Sequence, residues 1–422
     1  MTRRGFRAFA LLAAVLLVAT ACRQEVKTAV GVQGRTITLG EITPLTGSVA
    51  VIGRPLTRGH EVYFRYVNEV LGGVGQKLPQ NERYKVELLT LDSQYLPDVQ
   101  VQQYNAMKDK VLMIAQSLGT AHTNAILPQI NQDKILTAAA TLSSDWPKQT
   151  YIVATGAPYP AQFINAAQYL KDKGVSPKVG IIYQDDDYGA DGLKGLEFAA
   201  KQFGFSIVAK ATYKPTDTSF AAQVTAMKNA GADHVFLTTL ASATGVILGT
   251  AATLSYAPRW IGNSPAWIGA LVGTKEKPSP LVPYLQKNLW VVTDQQCAWG
   301  ETRQGCEGMK ELLENHAKFG GDQPPDYYFI FGYTQARVVH QILERAVEQG
   351  DLTRAGVVKA FESLRNVNMG GLLNPISYGS TCKDKIPATG STLWQIDPAQ
   401  AIALAPVASV DSAAIKQFPF CP

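Results

Sequence analysis

The chain has 422 residues, 46% of them hydrophobic and 17% charged. That is the balance of a globular protein with room for two or three domains of roughly 100–200 residues, not of a disordered or fibrous one. Its formal charge of +5 falls to 5 − 3 = +2 once Arg3, Arg4 and Arg7 are set aside, and no Lys/Arg block occurs elsewhere. Nucleic-acid binding, which needs a basic stripe to neutralise phosphates, is therefore disfavoured.

The three arginines head an apolar run over 8–19, too short to span a bilayer, which takes about 20 residues. Small residues Ala19, Thr20 and Ala21 then precede Cys22. This is the pattern of a cleaved export signal over 1–21. A single cysteine directly after it looks like a bacterial lipobox, in which the thiol is lipidated and becomes the mature N-terminus. Ala19 departs from that pattern, which more often has Leu there, and a plain secretory signal is the alternative. Polar residues continue to 34 and read as a tether between lipid and folded protein.

From there strand and helix patterns alternate. A strand at 36–42 is followed by a helical stripe at 56–71, with Val62, Tyr63, Tyr66, Val67 and Val70 on one face. A strand at 84–91, a helix at 98–109, an apolar strand at 111–117, a short helix at 124–132 and a strand at 135–140 complete the first series. A second begins with a strand at 151–155 and continues through a helix at 161–173, a strand at 179–183, a helix at 189–203, a strand at 206–213, a helix at 220–230 and a strand at 234–239. The pattern over 250–273 is indistinct. Beyond it come a strand at 289–292, a long helix at 326–349, a helix at 353–364 capped by Thr353, and a strand at 392–396. Such alternation predicts mostly parallel sheets covered on both faces. Ligands of such sheets bind beyond the carboxyl ends of the strands.

Three turns of the first series are built of small, hydroxyl-bearing residues: Pro44-Leu45-Thr46-Gly47-Ser48, Leu118-Gly119-Thr120-Ala121 and Ala139-Ala140-Thr141. Free N–H groups and hydroxyls at a helix start suit a carboxylate, although each turn alone also reads as an ordinary helix cap. In the second series Asp185-Asp186-Asp187 lacks the spacing of a calcium loop and reads as a solvated turn. Tyr188 after it is placed to stack on a ligand. The turns at Thr239 and at Asn263-Ser264 face the same way. No Gly-x-Ser-x-Gly elbow, phosphate-binding loop or dinucleotide fingerprint occurs, so the strong signals for catalysis are missing together. Apart from Cys22, the cysteines Cys297, Cys306, Cys382 and Cys421 read as two disulfides of an exported protein, with three possible connectivities. A Cys297–Cys306 bond would close a short loop and a Cys382–Cys421 bond would pin the C-terminal tail. The five histidines have no ligand spacing to a cysteine, so neither a metal nor a cofactor is expected.

A series of marks spans 36–396: Ile42-Thr43-Pro44-Leu45-Thr46-Gly47, Gly53, Gly59, Val67-Asn68-Glu69, Gly72-Gly73, Asp92, Ala139-Ala140-Thr141, Tyr188-Gly189 and Gly332-Tyr333. In order and spacing they resemble the substrate-binding lipoproteins of branched-chain amino acid (Leu/Ile/Val-type) ABC transporters. The resemblance implies the type I periplasmic-binding-protein fold, an α/β architecture of two Rossmann-like lobes joined by three crossovers around a central cleft. It places the crossovers near 154–159, 291–295 and 367–375, with lobe 1 at 35–156 plus 294–368 and lobe 2 at 157–293 plus 369–422. It further implies a non-enzymatic, extracytoplasmic, lipid-anchored and monomeric receptor. That receptor would close on an amino acid, amide or related carboxylate and deliver it to a membrane permease; a ligand-sensing lipoprotein and an exported enzyme are the alternatives. By the same resemblance Thr120, Ala139, Ala140 and Thr141 hold the ligand carboxylate, Tyr188 stacks, and Tyr328 supplies a further aromatic. The sequence departs from the pattern twice. Ile52 stands where the family has a tyrosine, and no acid stands near Asn263–Ser264 to pair with an α-ammonium. Trp267 close by is either a ligand-facing ring or a core residue.

Overall fold

A computed structural model describes residues 26–422; the signal segment and Cys22 lie outside the described residues. Short strands β1 (Lys27–Thr28) and β2 (Val32–Gln33) lead into β3 (Thr36–Thr43). The first series then runs α1 (Ala50–Arg65), β4 (Lys85–Asp92), α2 (Pro97–Met107), β5 (Ile114–Leu118), α3 (Thr120–Asp133), β6 (Thr137–Ala140) and β7 (Ile152–Val153). Its sheet has the order β4-β3-β5-β6-β7, parallel throughout, with β2 hairpinned onto the start of β3. Helix α1 begins six residues before the expected 56, carrying Pro55 in its second turn despite the amide hydrogen bond a proline cannot make.

The second series runs α4 (Tyr159–Asp172), β8 (Lys178–Gln184), α5 (Asp187–Phe203), β9 (Ser206–Tyr213), α6 (Ala221–Asn229), β10 (His234–Thr238), α7 (Ala241–Thr253), β11 (Arg259–Asn263), α8 (Val282–Asn288) and β12 (Leu289–Thr293). The indistinct stretch thus holds the end of α7 and all of β11. The chain then returns to the first lobe with α9 (Glu307–Phe319), α10 (Tyr327–Glu348), β13 (Asp351–Leu352, paired with β1) and α11 (Arg354–Ser363). It ends in the second lobe with β14 (Ser391–Ile396) and β15 (Leu404–Val410). The second sheet has the order β9-β8-β10-β11-β12-β14-β15, parallel except that β14 runs against both of its neighbours.

Apolar side chains on both faces of each sheet explain why these strands read as continuous hydrophobic runs. Helix α10 is buried along most of its length and packs lengthwise on α1. A Cβ on Gly59 would lie 2.3 Å from the Phe329 carbonyl oxygen, and one on Gly332 would lie 2.0 Å from that of Leu56. Both glycines are therefore required by the close approach of the helices. Met369, Leu372, Leu373, Ile376 and Tyr378 join the core of the first lobe, and the Tyr378 hydroxyl donates to the Ala154 carbonyl over 2.7 Å. The third crossing therefore falls between Tyr378 and Ser391, later than the expected 367–375, and 369–378 go with lobe 1. A further apolar cluster lies between the lobes and draws from both, with Val49, Ile52 and Leu56 against Tyr188, Leu240 and Ile268.

Candidate ligand-binding cleft

The parallel strands of both sheets end at this interlobe cluster, around a cavity of ≈ 50 Å³. One wall begins at Gly119, whose φ of 102° turns the chain from β5 into α3. That helix has no side-chain N-cap, so its first-turn N–H groups and dipole are left for whatever enters the cavity. Beside it stands a chain of hydroxyls. Thr120 Oγ1 lies 2.5 Å from Thr141 Oγ1, which lies 3.1 Å from the Tyr159 hydroxyl. A hydroxyl donates once and accepts twice, so this chain keeps capacity for one more polar group.

The opposite wall is aromatic. The rings of Tyr159 and Tyr188 meet edge to face at 4.8 Å, and those of Tyr327 and Tyr328 at 5.0 Å. The Tyr188 hydroxyl shares its one proton between Asn263 Oδ1 (2.7 Å) and the Thr239 carbonyl (3.1 Å); that of Tyr327 donates to Asp294 Oδ1 (2.8 Å). Burial pushes the Tyr159 phenol up to about 12 and the other three well above their usual range, so all four stay neutral. Ser264 and Tyr95 add two more hydroxyl-bearing side chains, and Ile52, Leu56, Leu118, Leu142, Leu240 and Phe331 are apolar. Among the described residues, no Asp, Glu, Lys or Arg lines the cavity.

Of the residues singled out in the sequence, Thr120, Ala140, Thr141, Tyr188, Ser264 and Tyr328 line this space. Thr46 does not. It is exposed, and its hydroxyl donates to Asp92 Oδ2 over 2.6 Å, with Oδ1 taking Leu45 N–H, so it shapes the first turn. Ala139 is fully buried one residue before the cavity. Its carbonyl accepts from Gln335 Nε2 (2.9 Å), while Gln335 Oε1 meets His60, itself paired with Glu41 at 2.9 Å. Thr239 and Asn263 stand behind Tyr188 as its supports. Trp267 belongs to the core of the second lobe and donates to the Ile402 carbonyl. Asp186 caps α5 by accepting from Tyr188 and Gly189 N–H groups, while Asp185 and Asp187 are exposed. Sequence reasoning missed Tyr95, Tyr159, Tyr327, Phe331, Leu142 and Leu240. Tyr159 opens a helix where the chain changes lobe, and that position was the one available signal; Tyr327 opens a helix within the first lobe.

Disulfides join Cys297 to Cys306 and Cys382 to Cys421. The first takes up both thiols that, with Glu301, would otherwise resemble a metal ligand set.

Two α/β lobes meeting around a small cavity are the architecture of a solute-binding protein. Residues 36–401 match the periplasmic binding protein family, and the chain belongs to it. It is 22% identical over 320 residues to Leu/Ile/Val-binding protein homolog 7 of Brucella abortus, covering 73% of this chain and 77% of that one. Among solved structures it is similar to a fatty acid ABC transporter substrate-binding protein from Thermomonospora curvata, at 27% identity and a TM-score of 0.83 over 93% of this chain and 97% of the other. A branched-chain amino acid ABC transporter protein from Thermus thermophilus with bound valine shares the fold at 18% identity and a TM-score of 0.77, over 92% and 100% of the two chains.

Proposed function

We propose that this protein is the extracytoplasmic receptor of an ABC importer, tethered through a lipid on Cys22, which closes on a small monocarboxylate with an apolar body and hands it to a membrane permease. The observation that carries the ligand class is the uncharged lining of the cavity. Hydroxyls and the uncapped start of α3 supply a place for one carboxylate. Among the described lining residues there is no carboxylate to pair with an ammonium, whose burial without a counter-charge costs several kcal/mol. Asn263, near the position where the resemblance calls for an acid, spends its carbonyl on Tyr188. The name of the Thermomonospora protein supports an acid with a hydrocarbon body; the valine in the Thermus structure marks the zwitterionic alternative.

The test is calorimetry and thermal shift on ligand-stripped protein with 4-methylpentanoate, octanoate, leucine and leucinamide. An acid at a hundredfold excess over its Kd stabilises the folded state by about 2.7 kcal/mol. The two acids should raise the melting temperature and be recovered unchanged, and leucine should not raise it. Leucine binding more tightly than 4-methylpentanoate would overturn the ligand class.

A further inference from the structure

Helix α5 carries Tyr188 into the cavity, and other side chains of the same helix cross to the first lobe outside it. The Asp191 carboxylate is 1% exposed. Its Oδ2 accepts from the Ser144 backbone N–H at 2.8 Å and its Oδ1 from the Ser144 hydroxyl at 2.5 Å. One turn earlier, Asp187 Oδ2 accepts from Asn124 Nδ2 in α3 at 2.9 Å. One turn later, Lys194 Nζ lies 3.9 Å from Asp191 and 3.8 Å from Asp145, the neighbour of Ser144. Positions 187, 191 and 194 fall on one face of the helix. None of the six residues lines the cavity.

We propose that the Asp191–Ser144 pair is a latch between the lobes that sets ligand affinity without touching the ligand. Asp191 belongs to the second lobe and Ser144 to the first, so parting the lobes breaks both bonds at once and returns the carboxylate to water. Both bonds exist only while the lobes are together, so they favour the closed form whether or not the cavity is filled, against the cost of burying the carboxylate. A binding-competent state that is already populated lowers the apparent Kd by the fraction it removes from the cost of closing. The latch therefore acts as an affinity setting carried by α5, separate from the ligand class argued above and testable with no ligand present.

The experiment is small-angle scattering of the ligand-stripped chain and of Asp191→Ala and Ser144→Ala, each checked for cooperative melting by circular dichroism. The wild type should be the most compact. Asp191→Ala should show the largest radius of gyration, and Ser144→Ala, which keeps the backbone donor, should fall between. Equal radii for all three overturn the proposal. If Asp191→Ala fails to melt cooperatively, Ser144→Ala decides: a radius above wild type supports the latch, and an unchanged one overturns it.

Discussion

The Tyr188 hydroxyl donates to Oδ1 of Asn263 across 2.7 Å, both residues buried, and this bond fixes the ring that lines the cavity. Tyr188→Phe keeps the ring but leaves Asn263 Oδ1 and the Thr239 carbonyl without this donor. A buried polar group left unpaired costs about 1–3 kcal/mol. The expected outcome is a lower urea midpoint, with ligand affinity falling less than in Tyr188→Ala, which also removes the ring. Equal loss of binding in both variants would show that the hydroxyl, not the ring, carries recognition.

Thr141 stands at the centre of the hydroxyl chain, between Thr120 and Tyr159. Thr141→Val conserves volume and deletes the group through which the chain is connected. Affinity for whichever acid of the panel binds should fall roughly tenfold to a hundredfold, the equivalent of about 1.4–2.8 kcal/mol. Thr46→Val, on the exposed turn, should leave affinity unchanged by the same titration, because that hydroxyl serves Asp92 and not the cavity.

Asp294 lies where the chain passes from the second lobe back to the first. Burial pushes its carboxyl up to about 6, against a lowering hydrogen bond from Tyr327. A carboxylate whose folded pKa exceeds its unfolded value of about 3.9 contributes stability at low pH and loses it as pH rises through that window. Two units of difference correspond to up to about 3 kcal/mol at neutral pH. Asp191 and Asp326, both also raised to about 6 by burial, act with the same sign. Asp294→Asn keeps an acceptor for Tyr327 and cannot ionise. It should be more stable than wild type at pH 7.5 and lose that advantage near pH 4, read as the difference in urea midpoint. A constant difference across that range would remove Asp294 from the account.

The alternation of strand and helix was legible because buried parallel strands and amphipathic helices leave periods in the sequence. Regions that obey other rules were not. Helix α9 escaped although Met309, Leu312 and Phe319 recur at helical spacing, because that stripe is narrow and set among many charges. The segment from Met369 to Tyr378 has no period at all and is held by single contacts such as Phe361 against Tyr378. Half of the cavity's aromatic wall escaped for a different reason. Tyr159 and Tyr327 look like core residues along the chain, and only the meeting of the two lobes turns them toward one space. Tyr95 is further hidden by local backbone, since Gln94 and Tyr95 both sit at positive φ to bring the ring onto His122 at 4.0 Å.

The two disulfides differ in what they hold. Cys297 and Cys306 are 0% and 2% exposed and sit in the first core with Met309, Phe329 and Met369 around them. Cys382 and Cys421 are only half-buried and tie the last residues of the chain to the stretch before β14, across a sequence separation of 39. A loop of that length is stabilised by closure more than the nine-residue separation of the first pair, by roughly 4 kcal/mol against less than 3. Accessibility decides the order of reduction, because the attacking thiolate must reach a sulfur. Mild dithiothreitol on the folded protein should release the Cys382 and Cys421 thiols first, read by alkylation and peptide mass, with a fall in melting temperature. The Cys297–Cys306 bond should resist until the first lobe unfolds. Equal alkylation of all four cysteines while the protein still melts cooperatively would mean that the core around Cys297 opens far more readily than its burial implies.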